Sequence, residues 1–208
     1  IIKSKKDEVY VGSSTSINLF KLIKSILQSN KSIKNISTDN LNFPSDKYIC
    51  ELIAKDFNID FNFLDYGSDL MADIDKLKEF IIKKRGIIVL SHVTFKSSYR
   101  YPIKEISKFC KDNNTIVIWD LSHSIGAVDI NMGLNQVDYA IGCTYKYLNG
   151  GPGSPAFIYV REQELRKLKS PIRGWFSHEK PFEYSNEYNE SNSIEKFSNG
   201  TPHILSLS

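Results

Sequence analysis

A lysine and an aspartate follow two apolar runs that are typical of buried β-strands. Lys146 comes just after the run 137–144 and immediately before a turn rich in glycine and proline. Asp120 ends the apolar run that starts at Thr115, and His123 follows it closely. A charge at such a position is costly unless it is paired or neutralised. A desolvated lysine is also a good amine nucleophile, and lysines that form Schiff bases arise in this way.

Each of these side chains also has a purely structural explanation. Lys146 could reach water from its strand end, Asp120 could cap the next helix, and His123 could be a hydrogen-bonded polar residue. A similar choice exists near the start of the chain, where the hydroxyl residues Ser13-Ser14-Thr15-Ser16 precede an amphipathic segment. They could cap a helix, or they could form an anion site with the free amide groups at its start.

The segments around these residues predict how they come together. Apolar segments of strand length, such as 86–91 and 115–120, alternate with helical segments such as 102–113. This alternation predicts an α/β domain with a mostly parallel sheet flanked by helices. Ligands of open α/β sheets bind beyond the carboxyl ends of the strands. Several polar residues lie at or just past predicted strand ends, namely Ser13 to Ser16, Ser91, Asp120, His123, Tyr145 and Lys146.

The composition is that of an ordinary globular protein. The chain has 208 residues, of which 41% are hydrophobic and 25% charged, and its net charge is +3. The basic residues are scattered, so they do not indicate nucleic-acid binding. No apolar run is long enough for a transmembrane helix, and the first residues do not resemble a signal peptide. Cys50, Cys110 and Cys143 lie in apolar runs without zinc-binding spacing, which predicts no metal site and a reducing, cytoplasmic compartment.

A lysine, an acid, a histidine and a phosphate cradle at one sheet edge suit the chemistry of pyridoxal 5′-phosphate. The lysine forms the Schiff base, and an acid beside the pyridine nitrogen keeps the ring an electron sink. Amides and hydroxyls at a helix N-terminus hold the phosphate. We therefore predict a cofactor site that contains Lys146, Asp120, His123 and the hydroxyls of Ser13 to Ser16.

Five segments of the chain form a specific pattern. They are 42–46 (NFPSD), 119–127 (WDLSHSIGA), 143–153 (CTYKYLNGGPG), 174–178 (GWFSH) and 200–205 (GTPHIL). They closely resemble the kynureninase family, and the match runs through nearly the whole chain in the family's order. The tyrosine before Lys146 separates the chain from cysteine desulfurases, which carry histidine at that position.

The resemblance implies an aspartate-aminotransferase-like large domain (fold type I) with pyridoxal 5′-phosphate as its cofactor. It implies hydrolysis of L-kynurenine, or of 3-hydroxykynurenine, to the corresponding anthranilate and L-alanine. This reaction belongs to tryptophan catabolism and to NAD biosynthesis. The implied partners are the small-molecule substrate and a second subunit in a homodimer, with no nucleic acid and no membrane.

The resemblance also implies a role for each site residue. Lys146 would be the Schiff-base lysine and proton carrier, and Tyr145 would contact the phosphate and donate a proton during cleavage. Asp120 would meet the pyridine nitrogen, with His123 beside the ring. The remaining cofactor neighbours would be Phe43 stacked on the ring, Asp46 near it, Thr15 and Ser16 at the phosphate, Ser91 close by, and Trp175 and Thr201 from the second subunit.

The resemblance covers the large domain of the family. We expect residues 1–208 to be the pyridoxal-phosphate-binding large domain, without the family's N-terminal segment and its small C-terminal domain. That small domain supplies an arginine for the substrate carboxylate in the family. We therefore expect these residues alone to bind the cofactor weakly at best and to be inactive.

Three other functions stay open on the sequence alone. Another pyridoxal-phosphate enzyme of this fold, such as a desulfurase or a lyase, is the nearest alternative, but a desulfurase needs a cysteine on a mobile loop. A non-catalytic module of the same fold would be favoured by the loss of Lys146, Asp120 or His123, and all three are present. A dinucleotide-binding domain would need G-x-G-x-x-G after the first strand, which the sequence lacks.

Overall fold

The computed structural model describes residues 1–202 and residue 204. His203 and Leu205, which belong to the last of the five resembling segments, lie outside the described residues. The strands are β1 (Val9–Val11), β2 (Asn35–Asp39), β3 (Asp60–Leu64), β4 (Ile87–Ser91), β5 (Ile116–Asp120), β6 (Tyr139–Gly142) and β7 (Phe157–Val160). They form one sheet in the order β1-β7-β6-β5-β4-β2-β3.

The sheet is mostly parallel, as the sequence predicts. Strands β3, β2, β4, β5 and β6 pair in parallel with their neighbours. Strand β7 is antiparallel to both β6 and β1, so all strands except β7 share one direction. The carboxyl ends of β1, β4, β5 and β6 therefore meet at one edge, together with the beginning of β7.

The helices begin where the sequence supplies helix-start residues. They are α1 (Thr15–Ser29), α2 (Pro44–Phe57), α3 (Ile74–Lys83), α4 (Ile103–Asp112) and the short α5 (Glu162–Leu165). The Ser14 hydroxyl caps α1 by accepting from the Ile17 amide, and the Asp73 carboxylate caps α3 in the same way. Pro44 opens α2, where its missing amide hydrogen costs nothing. Short 3-10 helices cover Lys6–Glu8, Trp175–Ser177, Pro181–Glu183 and Ile194–Phe197.

Two hydrophobic cores lie on opposite faces of the sheet. Because side chains alternate along a strand, Trp119 of β5 joins one core and Ile118 joins the other. The first core includes Leu77 of α3 and Ile106 of α4, and the second includes Leu22 of α1. Because both faces of the sheet are covered by apolar side chains, polar side chains gather at the ends of the strands.

The sequence analysis did not predict β2, although all five of its residues are buried. Its segment Asn-Ile-Ser-Thr-Asp contains a single apolar residue, so hydropathy does not reveal it. The polar side chains bond to neighbouring backbone instead: Ser37 Oγ donates to the Ile87 carbonyl at 3.2 Å, and Thr38 Oγ1 donates to the Val89 carbonyl at 2.8 Å. A polar strand can be central to a sheet when its groups are satisfied in this way.

One predicted strand was also too long. Strand β6 ends at Gly142, two residues before the predicted end at Thr144. Lys146 consequently lies in the turn that follows β6 and not at the strand end. Among the helices that the structure describes, none is long and apolar enough to cross a membrane.

Candidate active site

A cavity of about 490 Å³ opens at the carboxyl edge of the sheet. Its walls come from the loop between β1 and α1, the start of α2, the end of β5, and the connection between β6 and β7. The lining residues are Ser13 to Ser16, Phe43, Ser45, Asp46, Asp120, Ser122, Tyr145, Lys146 and Gly153 to Ala156. Of the polar residues that the sequence analysis placed at this edge, all except Ser91 and His123 line the cavity.

Lys146 is held over the cavity by a histidine and two aromatic rings. Its Nζ lies 2.9 Å from His123 Nε2 and 5.6 Å from the ring centroids of both Phe43 and Tyr145. Gly126 permits this arrangement, because its φ is +86° and a side chain there would collide with the Tyr147 carbonyl. The loop after β5 therefore packs closely against the turn that carries Lys146.

The environment of His123 favours a neutral imidazole. Burial lowers the pKa of His123, and the Lys146 charge lowers it further, while Asp120 acts in the opposite direction. When Nε2 accepts from the Lys146 amine, the hydrogen of a neutral imidazole lies on Nδ1. His123 Nδ1 is buried and has no hydrogen-bond partner among the described residues.

Two buried carboxyl groups, Asp46 and Asp120, are neighbours in the cavity. Asp46 is 1% exposed and Asp120 is 3% exposed. Asp120 Oδ1 accepts from the Ser122 amide at 2.8 Å, whereas Asp46 Oδ2 is buried with no partner among the described residues. Burial, and then the charge of Asp120, raise the pKa of Asp46 well above its usual range. The pair therefore favours a protonated Asp46 beside Asp120.

The hydroxyl residues after β1 form a cradle at the start of α1. Ser13 has a left-handed φ of +58°, and the backbone around it is pinned to the start of β7. The Gly12 amide donates to the Ala156 carbonyl at 2.8 Å, and the Ala156 amide donates to the Ser13 carbonyl at 3.0 Å. The first amides of a helix have no partner within it, so this end attracts anions. Capping and anion binding both fit, since Ser14 caps α1 while the other hydroxyls line the cavity.

Ser91 lies behind the cavity and does not line it. Its hydroxyl donates to Asn42 Oδ1 at 2.5 Å, and the same oxygen accepts from the Phe43 amide at 2.8 Å. The Asn42 amide group donates to Thr38 Oγ1 and to the Val89 carbonyl. Asn42 thus links β2 and β4 to the residue that presents the Phe43 ring.

Trp175 and Thr201 do not line this cavity either. Trp175 lies in an exposed aromatic cluster, where its ring centroid is 4.1 Å from that of Phe176 and 6.1 Å from that of Tyr184. Thr201 lines a smaller cavity of about 150 Å³ that shares Ser13 with the main one. The structure brings together Thr15, Ser16, Phe43, Asp46, Asp120, His123, Tyr145 and Lys146, and leaves Ser91, Trp175 and Thr201 outside.

Sequence reasoning missed several polar residues that line or support the cavity. Ser45, Ser122 and Ser154 line it, and Asn42 holds its wall. Asn42, Ser45 and Ser122 are sequence neighbours of site residues that were predicted. Their position inside the same sequence motifs could have identified them. Ser154 follows the glycine turn, and only the antiparallel return of β7 brings it back to the site.

A mostly parallel α/β sheet with a lysine, buried carboxyls and an anion cradle at its carboxyl edge defines a ligand-binding enzyme fold. The family model described as aminotransferase class-V matches residues 1–208, and the chain belongs to this family. It is similar to the kynureninase of Pseudomonas fluorescens, with 37% identity over 211 residues, covering 100% of this chain and 50% of that protein. The chain spans about half the length of the curated relatives it matches.

Solved structures share the fold at low sequence identity. The apo cysteine desulfurase of Thermococcus onnurineus NA1 superposes with a TM-score of 0.85 at 22% identity, covering 98% of this chain and 50% of that one. A C-DES variant with glycine covalently linked to its PLP cofactor superposes with a TM-score of 0.81 at 18% identity, covering 99% of this chain and 54% of that one. These similarities confirm the predicted large-domain fold.

Proposed function

We propose that this chain is the pyridoxal-phosphate-binding large domain of a kynureninase, which hydrolyses L-kynurenine or 3-hydroxykynurenine to an anthranilate and L-alanine. The carrying observation is the contact of 2.9 Å between Lys146 Nζ and His123 Nε2 at a cavity that also contains Asp120. The 37% identity to the Pseudomonas fluorescens kynureninase over the whole chain supports the choice of substrate.

The residues of the cavity fit pyridoxal 5′-phosphate. Its volume of about 490 Å³ is within the usual range for sites of small ligands and cofactors. The buried Asp46 Oδ2 and His123 Nδ1 lack partners among the described residues, so this wall is built for polar groups that a ligand provides. The cavity offers a primary amine for the aldehyde, a carboxylate for the pyridine nitrogen and an anion cradle for the phosphate.

Each wall of the cavity has a defined task in this proposal. When bound, the cofactor supplies an electron-withdrawing ring that stabilises negative charge on the substrate. Asp120 would pair with the ring nitrogen and Phe43 would pack on the ring, while Thr15 and Ser16 would hold the phosphate. Lys146 would hold the cofactor aldehyde and afterwards move protons at its Nζ. His123 and Asp46 would lie beside the ring.

Tyr145 is the proposed proton donor during cleavage. Burial, and then the neighbouring Cys143, raise the pKa of Tyr145. The phenol is protonated near neutral pH with or without this shift, and only the protonated form can donate. The ring lies beside Lys146 at 5.6 Å and remains 49% exposed, so substrate can reach its hydroxyl.

A homodimer would complete the phosphate site. In this proposal Trp175 of the partner subunit and Thr201 of the partner subunit approach the cradle, and the cluster around Trp175 lies at the subunit interface. The exposure of Phe182 and Tyr184, at 68% and 74%, supports an interface there. We place the protein in the cytoplasm and in tryptophan catabolism, and the three buried free thiols support a reducing compartment.

Cysteine desulfurase or cystine lyase activity is the second candidate, favoured by the fold similarity to such enzymes. Cys50, Cys110 and Cys143 are all buried, so none of them is available as a loop nucleophile. Burial raises the pKa of Cys110 to about 12 and that of Cys50 well above its usual range. These thiols therefore suit packing and not sulfur transfer.

Turnover assays with the full-length protein test the substrate. Anthranilate release from kynurenine, without sulfide release from cysteine, is the expected result, and Lys146→Ala should abolish it. Sulfide release from cysteine without kynurenine cleavage would favour the second candidate. The Lys3→Ala variant, which changes an exposed lysine paired with Asp129, provides the matched control and should retain turnover.

A further inference from the structure

Lys21 is a buried lysine behind the anion cradle. The residue lies on α1 and is 3% exposed. Its Nζ donates to Ser13 Oγ and to the Phe197 carbonyl, each at 3.0 Å, and lies 5.3 Å from the Tyr10 ring centroid. Ser13 in turn lines the main cavity. One hydroxyl group therefore separates the buried ammonium from the place where an anion is expected.

The charge of Lys21 has no acidic counterpart in the described part of the chain. Both of its hydrogen-bond acceptors are neutral oxygens, and burial lowers its pKa to about 8 with no carboxylate acting against this effect. Leaving a buried cation uncompensated is costly. A bound dianion would supply the missing charge.

A second buried lysine shows what a purely structural role looks like in this fold. Lys196 is 2% exposed, and its Nζ donates to the Leu165 and Leu168 carbonyls at 3.3 and 2.6 Å. Leu165 is the last residue of α5 and Leu168 lies just beyond the turn that follows it, a place where a lysine commonly satisfies helix-terminal oxygens. Lys196 does not line the main cavity, whereas Lys21 binds a residue that does.

We propose that Lys21 is a positioning residue for the cofactor phosphate, fixing the Ser13 hydroxyl and supplying a positive charge behind the cradle. This inference rests on the proposed function, because it requires pyridoxal 5′-phosphate in the main cavity. Two consecutive hydrogen bonds would place the ammonium about 6 Å from a phosphate oxygen, close enough for opposite charges to favour each other. The helix start alone provides only about half a positive charge.

Comparison of two ligands separates a phosphate-specific role from a structural one. We would measure dissociation constants of the full-length apoprotein for pyridoxal 5′-phosphate and for pyridoxal, which lacks the phosphate. For Lys21→Met, affinity for pyridoxal 5′-phosphate should fall roughly tenfold or more, the effect expected for losing one charged hydrogen-bonding partner. Affinity for pyridoxal should stay within about twofold, since the change is electrostatic and local.

Two further variants keep the test decisive. Lys196→Met removes an equally buried lysine and should leave the ratio of the two dissociation constants unchanged. Ser13→Ala keeps the Lys21 charge but removes the intervening hydroxyl, so it should weaken only the phosphorylated ligand, by less than Lys21→Met does. Should Lys21→Met fail to fold, as judged by circular dichroism, Lys21→Gln, which removes the charge but keeps a polar group at this place, is measured instead with the same expected result.

Trapping at Lys146 distinguishes the failure of this inference from the failure of the proposed function. Borohydride reduction of the wild-type complex should attach the cofactor to Lys146. With that attachment present, an unchanged ratio of dissociation constants in folded Lys21→Met, or an equal change in Lys196→Met, overturns the Lys21 role alone. Absence of any attachment in the wild type overturns both.

Discussion

Two buried carboxyl groups dominate the electrostatics of the site at the residue scale. Asp46 and Asp120 share one wall, and the raised pKa of Asp46 favours a single negative charge there. One carboxylate matches one protonated ring nitrogen, whereas two would leave an excess negative charge in a buried place. The pair is thus suited to hold one cationic group without an excess of negative charge.

Replacing Asp120 by asparagine removes the negative charge of the side chain while keeping its size, so the effect of the charge can be measured by itself. The amide keeps the size of the side chain and can still accept from the Ser122 amide, so the fold should be retained. Turnover should fall by roughly a hundredfold or more, the scale seen when one electrostatic stabiliser of a reaction is removed. Steady-state kinetics of the full-length variant checks this, with exposed Asp129→Asn as control. Near-normal turnover in folded Asp120→Asn would remove Asp120 from the mechanism.

The raised pKa of Asp46 has a consequence for stability against pH. A carboxyl whose pKa is higher in the folded state stabilises the fold fully only below its unfolded value, about 3.9, and loses this contribution as pH rises through the folded value. The new side chain in Asp46→Asn cannot ionise, so the variant does not lose this stability at higher pH. The variant apoprotein should therefore gain stability relative to the wild type as pH rises. Thermal unfolding of both proteins between about pH 4 and pH 8 measures this difference. If the stabilities of the two proteins changed with pH in the same way, the raised pKa of Asp46 would be contradicted.

At the scale of elements, β2 and the start of α2 form one supporting unit. Thr38 at the end of β2 and Val89 in β4 both bind Asn42, which fixes the backbone of Phe43. This connection explains how a strand without an apolar pattern affects the aromatic wall of the cavity. The position of Phe43 depends on buried hydrogen bonds that no local hydropathy pattern reveals.

Asn42→Ala should weaken both the fold and the cavity wall. The Ser91 hydroxyl and the Phe43 amide would lose their shared acceptor, and each buried group left unpaired costs about 1–3 kcal/mol. Chemical denaturation should therefore show a loss of about 2 kcal/mol or more, accompanied by weaker cofactor binding. Asn40→Ala is the matched control, because Asn40 follows the same strand but its side-chain hydrogen bonds go to residues 65–67, none of which lines the cavity. Equal effects of both changes would argue against the supporting role.

The sequence predicted the elements that have strong apolar periodicity and missed the element that lacks it. Buried runs such as β4 and β5 and the amphipathic α4 lie within a residue of their predicted ranges. Strand β2 was missed because its stability comes from side-chain bonds to β4 and from burial between neighbours. Lys146 was identified from its place in the chain, but its contact with His123 depends on the turn after β6, which only the structure describes.

At the scale of the whole molecule, a single lysine, Lys146, supplies the positively charged side chain that lines the cavity within the described part of the chain. None of the residues lining it is an arginine. Arg161 pairs with Asp138 at the opposite edge of the sheet, as expected from the antiparallel direction of β7. Arg166 pairs with Glu162, and Arg173 lies 5.2 Å from the Tyr188 ring centroid. Bidentate capture of a substrate carboxylate, which suits arginine, therefore has no candidate within this cavity.

We accordingly expect the 208 residues by themselves to bind the cofactor weakly and not to turn over kynurenine. Without a fixed cation for the carboxylate, both charge pairing and orientation are lost, and orientation can carry several kcal/mol of the barrier. Anthranilate production by the purified 208-residue chain is the measurement. Activity that disappears in Lys146→Ala would show that these residues suffice.

The most direct test of the account is to locate the lysine that binds the cofactor. The full-length protein would be incubated with pyridoxal 5′-phosphate, reduced with borohydride, digested and mapped by mass spectrometry. The account predicts that the reduced cofactor is attached to Lys146, and that Lys146→Ala carries no attached cofactor at any lysine. Attachment at another lysine, or cofactor binding that Lys146→Ala leaves unchanged, would contradict it.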